Sequence, residues 1–549
     1  DTALDSVQAG GTCNVAIGHA AGTAITTGDD NTAIGACALD ANTTAGCNTA
    51  VGSFSLSTNT TGACNTAVGH KTLQANTEGD LNTAIGYFSL YANTTASDNT
   101  AVGRYSLFST TTGADNTALG ANTLRCNTTA SDNTAVGKNG LRCNTTGANN
   151  TAVGNEALCA NTTASNNSAV GKDALKANTT GANNTAVGGD SLSANTEGSS
   201  NVAVGYYAGL QNTTGNCNVS LGVAANQNTS TGSNNTAIGH IALLSNTTAS
   251  NNTAVGTCAL KDNTTGAENV AVGTSALENN TTAAANTAVG ANTLFTNTTG
   301  TFNVALGNGA LYANTTGSNN IGIGKNSLDT NTTGAGNTAI GRDSLTANTT
   351  ANDNVAVGYT ALCKNTTGAN NTAVGNYSLR ANTTASSNTA VGMGSLNANT
   401  TGASNVAVGL LALNVNTTAS NNTAVGKDSL KANTTASENT SVGYGSGCTI
   451  TTGDENAFLG YRAGYNVTTG NCNIMIGPSA CIDSGGTNNS ISMGYAVVSI
   501  NNAVTFGNNT TDSRIAFGAT SITAPSDQRL KEDIQDDTAG LSFINDLRP

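Results

Sequence analysis

The residues of this sequence with the clearest potential for covalent chemistry are asparagines. The triplet Asn-Thr-Thr recurs at 20 positions that share one 17-residue period, and each copy is an N-x-T acceptor sequence for N-linked glycosylation. In a host with a secretory glycosylation pathway these side chains would carry a row of sugars; in its absence the same triplet is turn chemistry. The candidates are Asn42, Asn59, Asn93, Asn127, Asn144, Asn161, Asn178, Asn212, Asn246, Asn263, Asn280, Asn297, Asn314, Asn331, Asn348, Asn365, Asn382, Asn399, Asn416 and Asn433.

Cysteine is the second reactive residue type. The 13 cysteines are an odd number, are scattered rather than grouped as C-x-x-C, and lack zinc-ribbon spacing. Cys47 and Cys64 lie one repeat period apart, as do Cys126 and Cys143. If successive 17-residue segments stack, each pair is close enough for a disulfide, but free, packed thiols satisfy the same spacing.

No residue pattern predicts a metal site, a cofactor site or a catalytic site within the repeats. His19, His70 and His240 each follow a glycine in separate repeats, too far apart to converge on one ion. Gly10-Gly11 neither follows a strand nor opens a helix, as a phosphate-binding loop would. We therefore expect no cofactor, and a chain that is not an enzyme in the ordinary sense.

Composition excludes several classes of protein. Only 9% of the 549 residues are charged, 4% are aromatic, Trp is absent and Gly reaches 65, so a conventional globular core is not expected. The net charge of −13 argues against a nucleic-acid partner, which would require a basic stripe. No apolar run approaches the roughly 18 to 20 residues of a membrane span, and we expect no membrane insertion.

A strict internal repeat predicts the architecture. The pentapeptide Asn-Thr-Ala-Val-Gly, or a near variant, begins at Asn14 and recurs with a constant 17-residue period until Asn473, which gives 28 starts without an insertion. The full repeat reads N-T-A-V-G-x-x-S/A-L-x-A-N-T-T-G/A-x-x, and we number its positions 1 to 17 from the first Asn. A constant period of this length is typical of a solenoid, and a 17-residue coil is long enough for two short strands and two turns. We predict an all-β, parallel β-solenoid (β-roll) with coils about 4.8 Å apart.

Alternation within the strand predicts which side chains point inward. We assign the branched face, Thr/Val at position 2 and Val/Ile/Leu at position 4, to the coil interior together with the recurring Leu of position 9. The Ala face, for example Ala50 and Ala101, would then meet either a neighbouring chain or water. The Gly of position 5 suits a turn with positive φ, and the Asn of the Asn-Thr-Thr corner also tolerates a left-handed conformation. Stacked asparagines should form hydrogen-bonded ladders.

The repeat pattern also predicts domain boundaries. Residues 1–13 are a partial N-terminal coil, and residues 14–494 are a β-solenoid shaft. The spacing shortens after Gly494, so residues 495–525 are a transition or cap. Residues 526–549 differ in composition and begin a separate, truncated segment.

The C-terminal segment contains two specific motifs. Residues 526–534 read S-D-Q-R-L-K-E-D-I and residues 541–549 read L-S-F-I-N-D-L-R-P. Together they resemble the beginning of the self-cleaving intramolecular chaperone domain at the C-terminus of endosialidase-type tailspikes and other phage fibres. The resemblance implies a short α-helical start near residue 540 and a trimeric chaperone. It further implies one self-cleavage at Ser526, with Lys531 as its partner and Asp527 flanking; a Ser-Lys pair can activate a hydroxyl in this way. The alternative is a polar linker.

The repeats themselves are similar to the head repeats of trimeric autotransporter adhesins, which share N-x-A-x-G followed by a small or apolar pair. This similarity spans residues 14 to 494 and implies left-handed parallel β-rolls assembled as trimers.

These observations predict a structural fibre rather than an enzyme. We expect the shaft of an extracellular viral or phage surface appendage on the virion, involved in host attachment and assembled as a homotrimer by the chaperone. A host-surface receptor or glycan would be its partner. The alternatives are a bacterial trimeric adhesin head at the cell surface and an ice-binding β-solenoid, because regular threonine arrays can order surface water.

Overall fold

A computed structural model describes residues 11–519 of the chain. The chain divides into two compact units, Asp1–Thr316 and Gly317–Pro549. Both are all-β and built from stacked 17-residue coils, which confirms the predicted parallel β-solenoid. The residues from 11 to 519 contain no helix. The helical start expected near residue 540 lies outside the described residues.

The first unit contains 18 strands, each pairing in parallel with the next in exact 17-residue register. They are β1 (Val15–Ile17), β2 (Thr32–Ile34), β3 (Thr49–Val51), β4 (Thr66–Val68), β5 (Thr83–Ile85), β6 (Thr100–Val102), β7 (Thr117–Leu119), β8 (Thr134–Val136), β9 (Thr151–Val153), β10 (Ser168–Val170), β11 (Thr185–Val187), β12 (Val202–Val204), β13 (Val219–Leu221), β14 (Thr236–Ile238), β15 (Thr253–Val255), β16 (Val270–Val272), β17 (Thr287–Val289) and β18 (Val304–Leu306).

The second unit has the same repeating pattern of strands and departs from it near its end. Its strands are β19 (Ile321–Ile323), β20 (Thr338–Ile340), β21 (Val355–Val357), β22 (Thr372–Val374), β23 (Thr389–Val391), β24 (Val406–Val408), β25 (Thr423–Val425), β26 (Thr440–Val442), β27 (Ala457–Leu459), β28 (Ile474–Ile476), β29 (Cys481–Ile482), β30 (Ile491–Gly494), β31 (Val498–Ser499), β32 (Ala503–Gly507) and β33 (Ser513–Ala516). Strand β33 pairs antiparallel with β32, so the last parallel strand does not present an open edge on that side.

Each regular coil contains one three-residue strand, at positions 2 to 4, and the prediction of two strands per coil is wrong for these coils. A second strand occurs only near the end, where β29 pairs with β31. Elsewhere in the described coils the rest of the chain is turns. Those turns are still bonded from coil to coil: Leu56 N–H donates to Thr72 O (3.0 Å), and Thr60 N–H donates to Thr77 O (3.0 Å). The stack is therefore held around its whole circumference and not along the strand alone.

The coil interior is filled by alanine and leucine. Ala50 at position 3 and Leu56 at position 9 are both fully buried, and the same holds for these positions in most other coils. Thr49 and Val51, on the other face of the strand, are half-buried and point outward. The assignment of Leu to the interior is confirmed, but the assignment of positions 2 and 4 to the interior is wrong. A coil this thin has no room for a branched side chain opposite Leu, so the small Ala faces inward.

An exception near the end shows the same limit on volume. Phe458 takes the Ala position of its coil and is fully buried. The Leu position is glycine in its own coil, Gly464, and in the preceding one, Gly447. A Cβ at either glycine would lie within 2.6 Å of the Phe458 ring. One large side chain therefore replaces two leucines, which is how a close-packed interior accommodates it.

The glycine of position 5 has a positive φ in every regular coil, as predicted; Gly154 has φ 144°. Its Cα also faces the next coil, since a Cβ on Gly154 would lie 2.3 Å from Gly171 O. The other left-handed residues are not the corner asparagines but positions 7, 9 and 17, such as Leu56 with φ 49°. Three left-handed residues per coil, beside the glycine, turn the backbone sharply enough to close a 17-residue coil.

Replacing Gly154 by Ala should destabilise the first unit by at least about 2 kcal/mol, because it combines backbone strain with a clash against the next coil. Gly140 is a matched control, since a Cβ there meets nothing closer than 3.5 Å. We expect Gly140→Ala to be neutral or to stabilise by about 0.4–1 kcal/mol. Urea midpoints measured by circular dichroism would check both, and equal midpoints for the two variants would contradict the close approach.

Candidate functional site

The residues assigned to self-cleavage lie beyond the part of the chain that the structure describes. Ser526, Asp527 and Lys531 all follow residue 519, so their roles remain predictions from the C-terminal resemblance.

The sequon asparagines of position 12 are buried rather than displayed on the surface. Asn59 is fully buried, and its Nδ2 donates two hydrogen bonds, one to Gly62 O of its own coil (2.8 Å) and one to Asn42 Oδ1 of the preceding coil (3.0 Å). The same pair of bonds recurs at Asn161 and Asn382. The predicted asparagine ladder is therefore confirmed, and it runs inside the coils.

Where the ladder is interrupted, a buried asparagine oxygen is left without a hydrogen-bond donor. Asn93, Asn212 and Asn433 each have an Oδ1 that is buried without a hydrogen-bond partner. In all three cases the next coil carries threonine or isoleucine at position 12 in place of asparagine. The amide of the following asparagine is thus what normally satisfies this oxygen, and its loss leaves a buried acceptor unpaired.

A second asparagine ladder, at position 1, was not distinguished by sequence reasoning. Asn48 Oδ1 accepts the backbone N–H of Asn65 in the next coil (2.9 Å), and Asn48 Nδ2 donates to Gly62 O (3.0 Å). Gly62 O is the same carbonyl that accepts Asn59 Nδ2. Both asparagines of a coil therefore converge on the carbonyl of position 15. The sequence does contain a signal for this ladder, because position 1 is Asn in all 28 repeats. Its acceptor, however, is a carbonyl in a turn, which the spacing of the repeat does not identify.

The buried ladder bears on glycosylation, which itself remains a prediction. Attachment of a sugar replaces one Nδ2 hydrogen, and in Asn59 both hydrogens are already donated, one within the coil and one to the preceding coil. We expect chains secreted from eukaryotic cells and folded around the ladder to have the bare mass of 54.1 kDa in intact-mass spectrometry. Added mass that is removed by an amidase specific for Asn-linked sugars would contradict this expectation and establish the glycans.

All 13 cysteines are free thiols in this structure. Cys47 and Cys64 are exposed in adjacent coils, and the Cys64 thiol raises the pKa of Cys47. Cys159 is buried, and burial raises the pKa of its thiol. Because a higher pKa leaves less thiolate at neutral pH, neither has the character of an activated nucleophile.

The histidines do not converge. Within residues 11–519 no group of three or more His, Cys, Asp or Glu side chains could hold a metal ion. His70 instead stacks against Tyr87, with ring centroids 5.6 Å apart.

One set of coil positions carries almost all of the recognition chemistry, and sequence reasoning missed it. Positions 6, 7 and 10, which we call the variable face, hold all 12 tyrosines. For Tyr495 this count numbers the shortened last coil from residue 490. These positions also hold all three histidines and 14 of the 15 lysines and arginines between residues 14 and 489; the exception is Lys364. Alignment of the coils alone would have shown this segregation.

In the first unit the variable face carries a network of aromatic contacts. Tyr87 and Phe88 contact edge to face at 4.5 Å between centroids, and Phe88 lies 5.7 Å from Tyr105 of the next coil. Tyr91 and Phe108 are stacked at 5.3 Å with an interplanar angle of 8°. The rings form one connected cluster along adjacent coils.

Cations lie over these rings. Lys71 Nζ is 5.5 Å from the Phe88 centroid, and the guanidinium groups of Arg104 and Arg125 lie 5.2 and 5.3 Å from the Tyr105 centroid. These distances are within the range of cation–π attraction, which holds the long side chains in place on the surface.

Beyond this cluster the variable face forms a shallow groove of about 530 Å³. Arg142, Glu156, Cys159 and Lys176 contribute to its walls. Lys176 Nζ contacts Glu156 Oε2 at 2.6 Å, and this hydrogen bond lowers the pKa of Glu156. The groove therefore contains paired charges rather than a free acid or base for catalysis.

Comparisons with known proteins add no relative. No protein-family model matches the sequence, and neither curated proteins nor solved structures show a significant match. Among residues 11–519, none of the chain forms a helix long and apolar enough to cross a membrane. The functional argument therefore rests on the coils themselves.

Proposed function

We propose that the chain is the structural shaft of an extracellular appendage used in host attachment, assembled as a homotrimer. The observation that carries this proposal is a column of aliphatic side chains on the outside of the coils. Position 4 is Val, Ile or Leu in every one of the 28 repeats, yet it points outward. Leu119 and Leu306 are 47% and 46% exposed.

The column has the character of an interface. Position 2 beside it is Thr, Val, Ile, Ser or Ala, so neither position carries a charge in any repeat. In the second unit Val442, Leu459 and Ile476 of the column line an apolar groove of about 330 Å³ together with Ile474 of position 2. Aliphatic stripes of this kind are rare on monomers and are typical of surfaces that contact another chain.

A second copy of the same chain is the partner that fits best. The exposed aliphatic residues repeat once per coil, and only a partner with the same axial spacing can meet each of them in turn. Uncharged surfaces also do not repel when identical copies face each other, despite a net charge of −13 per chain. The Ala face, which the sequence assigned to this contact, is buried inside each coil and is replaced in this role by the Val/Ile column.

The C-terminal resemblance supplies the assembly step of the proposal. A repetitive stack has weakly specified register, because a slip by one coil costs few contacts. A trimeric chaperone beginning at residue 526 would set the register and then be released at Ser526, with Lys531 as partner. The activity is a single maturation event, and the mature function is mechanical. A virion surface is the proposed location, and the adhesin head of a bacterial surface is the alternative.

Light scattering on the purified full chain should give a mass three times the 54.1 kDa of one chain. Changing Val136, Val153 and Val170 to Asp places three charges in the proposed interface and should yield monomers or aggregates. Thr129, Thr146 and Thr163 are the matched control, since position 14 is exposed in three successive coils that begin one coil before those of the valines. We expect their Asp variants to remain trimeric. A monomeric parent chain would exclude the trimeric fibre.

One observation favours a second candidate, binding to ice. Position 13 is Thr in nearly every coil, and its hydroxyl donates to the carbonyl of position 13 in the next coil, as in Thr145 to Thr162 (3.0 Å). The bond fixes each hydroxyl and leaves a regular array of methyl and hydroxyl groups beside the exposed Thr of position 14.

The ice hypothesis has a direct assay. If the array orders water as ice does, the purified chain should show thermal hysteresis and inhibit ice recrystallisation. The Asp variants of Thr129, Thr146 and Thr163 should reduce both effects by interrupting the array. If the parent chain shows neither thermal hysteresis nor inhibition of ice recrystallisation, this candidate is eliminated.

A further inference from the structure

The variable face is unlike the rest of the surface in its chemistry. The outward positions 2, 4, 13 and 14 are dominated by Thr and Val and repeat almost without change, whereas positions 6, 7 and 10 differ from coil to coil. These three positions carry Tyr, Arg, Lys and His, and Tyr and Arg are the residue types that dominate binding hot spots. Nothing in the stacking of the coils requires them, because other coils place Ala, Asn or Gly there and form the same strand and turns.

Within this face, residues 48–149 form a region that we call the aromatic-basic patch. At positions 6, 7 and 10 of these six coils there are six Phe or Tyr and five Lys or Arg, and no Asp or Glu. The contrast with the following coils is sharp, since Glu156, Asp173 and Asp190 occupy position 7 in the next three. A chain with a net charge of −13 thus keeps one region of this face free of acidic side chains.

The side chains of the patch are accessible. Phe54 and Tyr87 are 38% and 47% exposed, and Arg104, Arg125 and Lys138 are exposed. The cations Lys71, Arg104 and Arg125 are held by aromatic rings rather than by carboxylates, so their charge is not neutralised. Further along the face the pairing differs: Lys176 contacts Glu156 at 2.6 Å, and Lys172 contacts Asp173 at 2.7 Å.

We infer that the aromatic-basic patch binds a linear polysaccharide carrying spaced anionic groups, such as carboxylates or sulfates. Sugar rings present C–H groups that pack on the negative faces of aromatic rings, and the cations pair with the anionic substituents. The patch extends over several coils in one direction, which suits a linear polymer better than a small molecule. The inference deepens the proposed attachment function, on which it rests, by naming the class of ligand.

Single-stranded nucleic acid is the other polymer that aromatic and basic side chains recognise. Each nucleotide adds a phosphate, and Asp98, Asp115 and Asp132 at position 17 of the same coils oppose so dense a charge. The ring of Tyr87 also contacts those of Phe88 and Tyr105 edge to face, so these rings do not form the row of parallel faces on which successive bases stack. A polysaccharide that alternates acidic and neutral sugars carries fewer charges per unit length than a nucleic acid. Its sugars also do not have to stack in parallel on successive aromatic rings.

The inference is tested with the full chain and three probes by isothermal titration. The probes are hyaluronate, in which acidic and neutral sugars alternate, neutral dextran, and oligo(dT). We expect hyaluronate to bind, more weakly as salt is raised, and dextran to bind at least tenfold more weakly. Equal binding of dextran, stronger binding of oligo(dT), or no binding of hyaluronate would overturn the inference.

Matched variants locate the site. Lys71→Gln, Arg104→Gln and Arg125→Gln together should weaken hyaluronate binding at least tenfold. Lys172→Gln, Lys176→Gln and Lys261→Gln are the control, because these cations lie on the same face but contact Asp173, Glu156 and Glu278. The control should change affinity less than twofold, and an equal loss in both would show general charge attraction in place of a site. Circular dichroism of each variant confirms folding.

The outcome is separable from that of the proposed function. Light scattering on the same samples reports the trimer, and titration reports the ligand. A trimer that binds none of the probes refutes the ligand class alone, whereas a monomer that binds hyaluronate refutes the trimeric fibre alone.

Discussion

The structure depends on how two asparagine side chains close each coil. In one coil Asn48 and Asn59 both donate from Nδ2 to the carbonyl of Gly62, and the same arrangement recurs along the chain. Each such bond contributes about 1 kcal/mol net, but a buried carbonyl in a turn would cost more if left unpaired. Because no regular second strand supplies partners in these coils, the amides perform that task. Their remaining bonds reach the neighbouring coil and fix the 17-residue register.

Closing a coil in so few residues leaves a very thin interior, and that thinness determines what the outside looks like. Ala on the strand and Leu opposite it fill this interior in most coils, and the larger Phe458 is accommodated by two glycines. The branched residues of positions 2 and 4 have the strand propensity that the backbone needs but must face outward. An aliphatic column is therefore left on the surface of every coil, and we propose that further copies of the chain cover it.

The same constraints explain where variation is possible. Asn, Ala, Gly and Leu are each fixed by a hydrogen bond, a close contact or a small volume. The side chains at positions 6, 7 and 10 instead lie outside the coil interior and mostly contact solvent and one another. Aromatic and basic side chains can accumulate there without disturbing the stack. Their cross-coil contacts, such as Tyr91 with Phe108, follow from the register. A scaffold with one permissive face thus keeps the residues that hold the coils together apart from those that vary.

The sequence by itself determined the period, the parallel solenoid, the buried Leu, the positive φ of the repeat glycine and the presence of asparagine ladders. These follow from spacing and from local backbone preference, which act over a few residues. Only the tertiary structure decided that Ala faces inward, that one strand per coil suffices, that the sequon asparagines are buried, and that two ladders share one carbonyl. Alternation separates two faces of a strand but does not say which is inside. That choice depends on the space left between the strand and the turn opposite it, and this space exists only once the coil has closed.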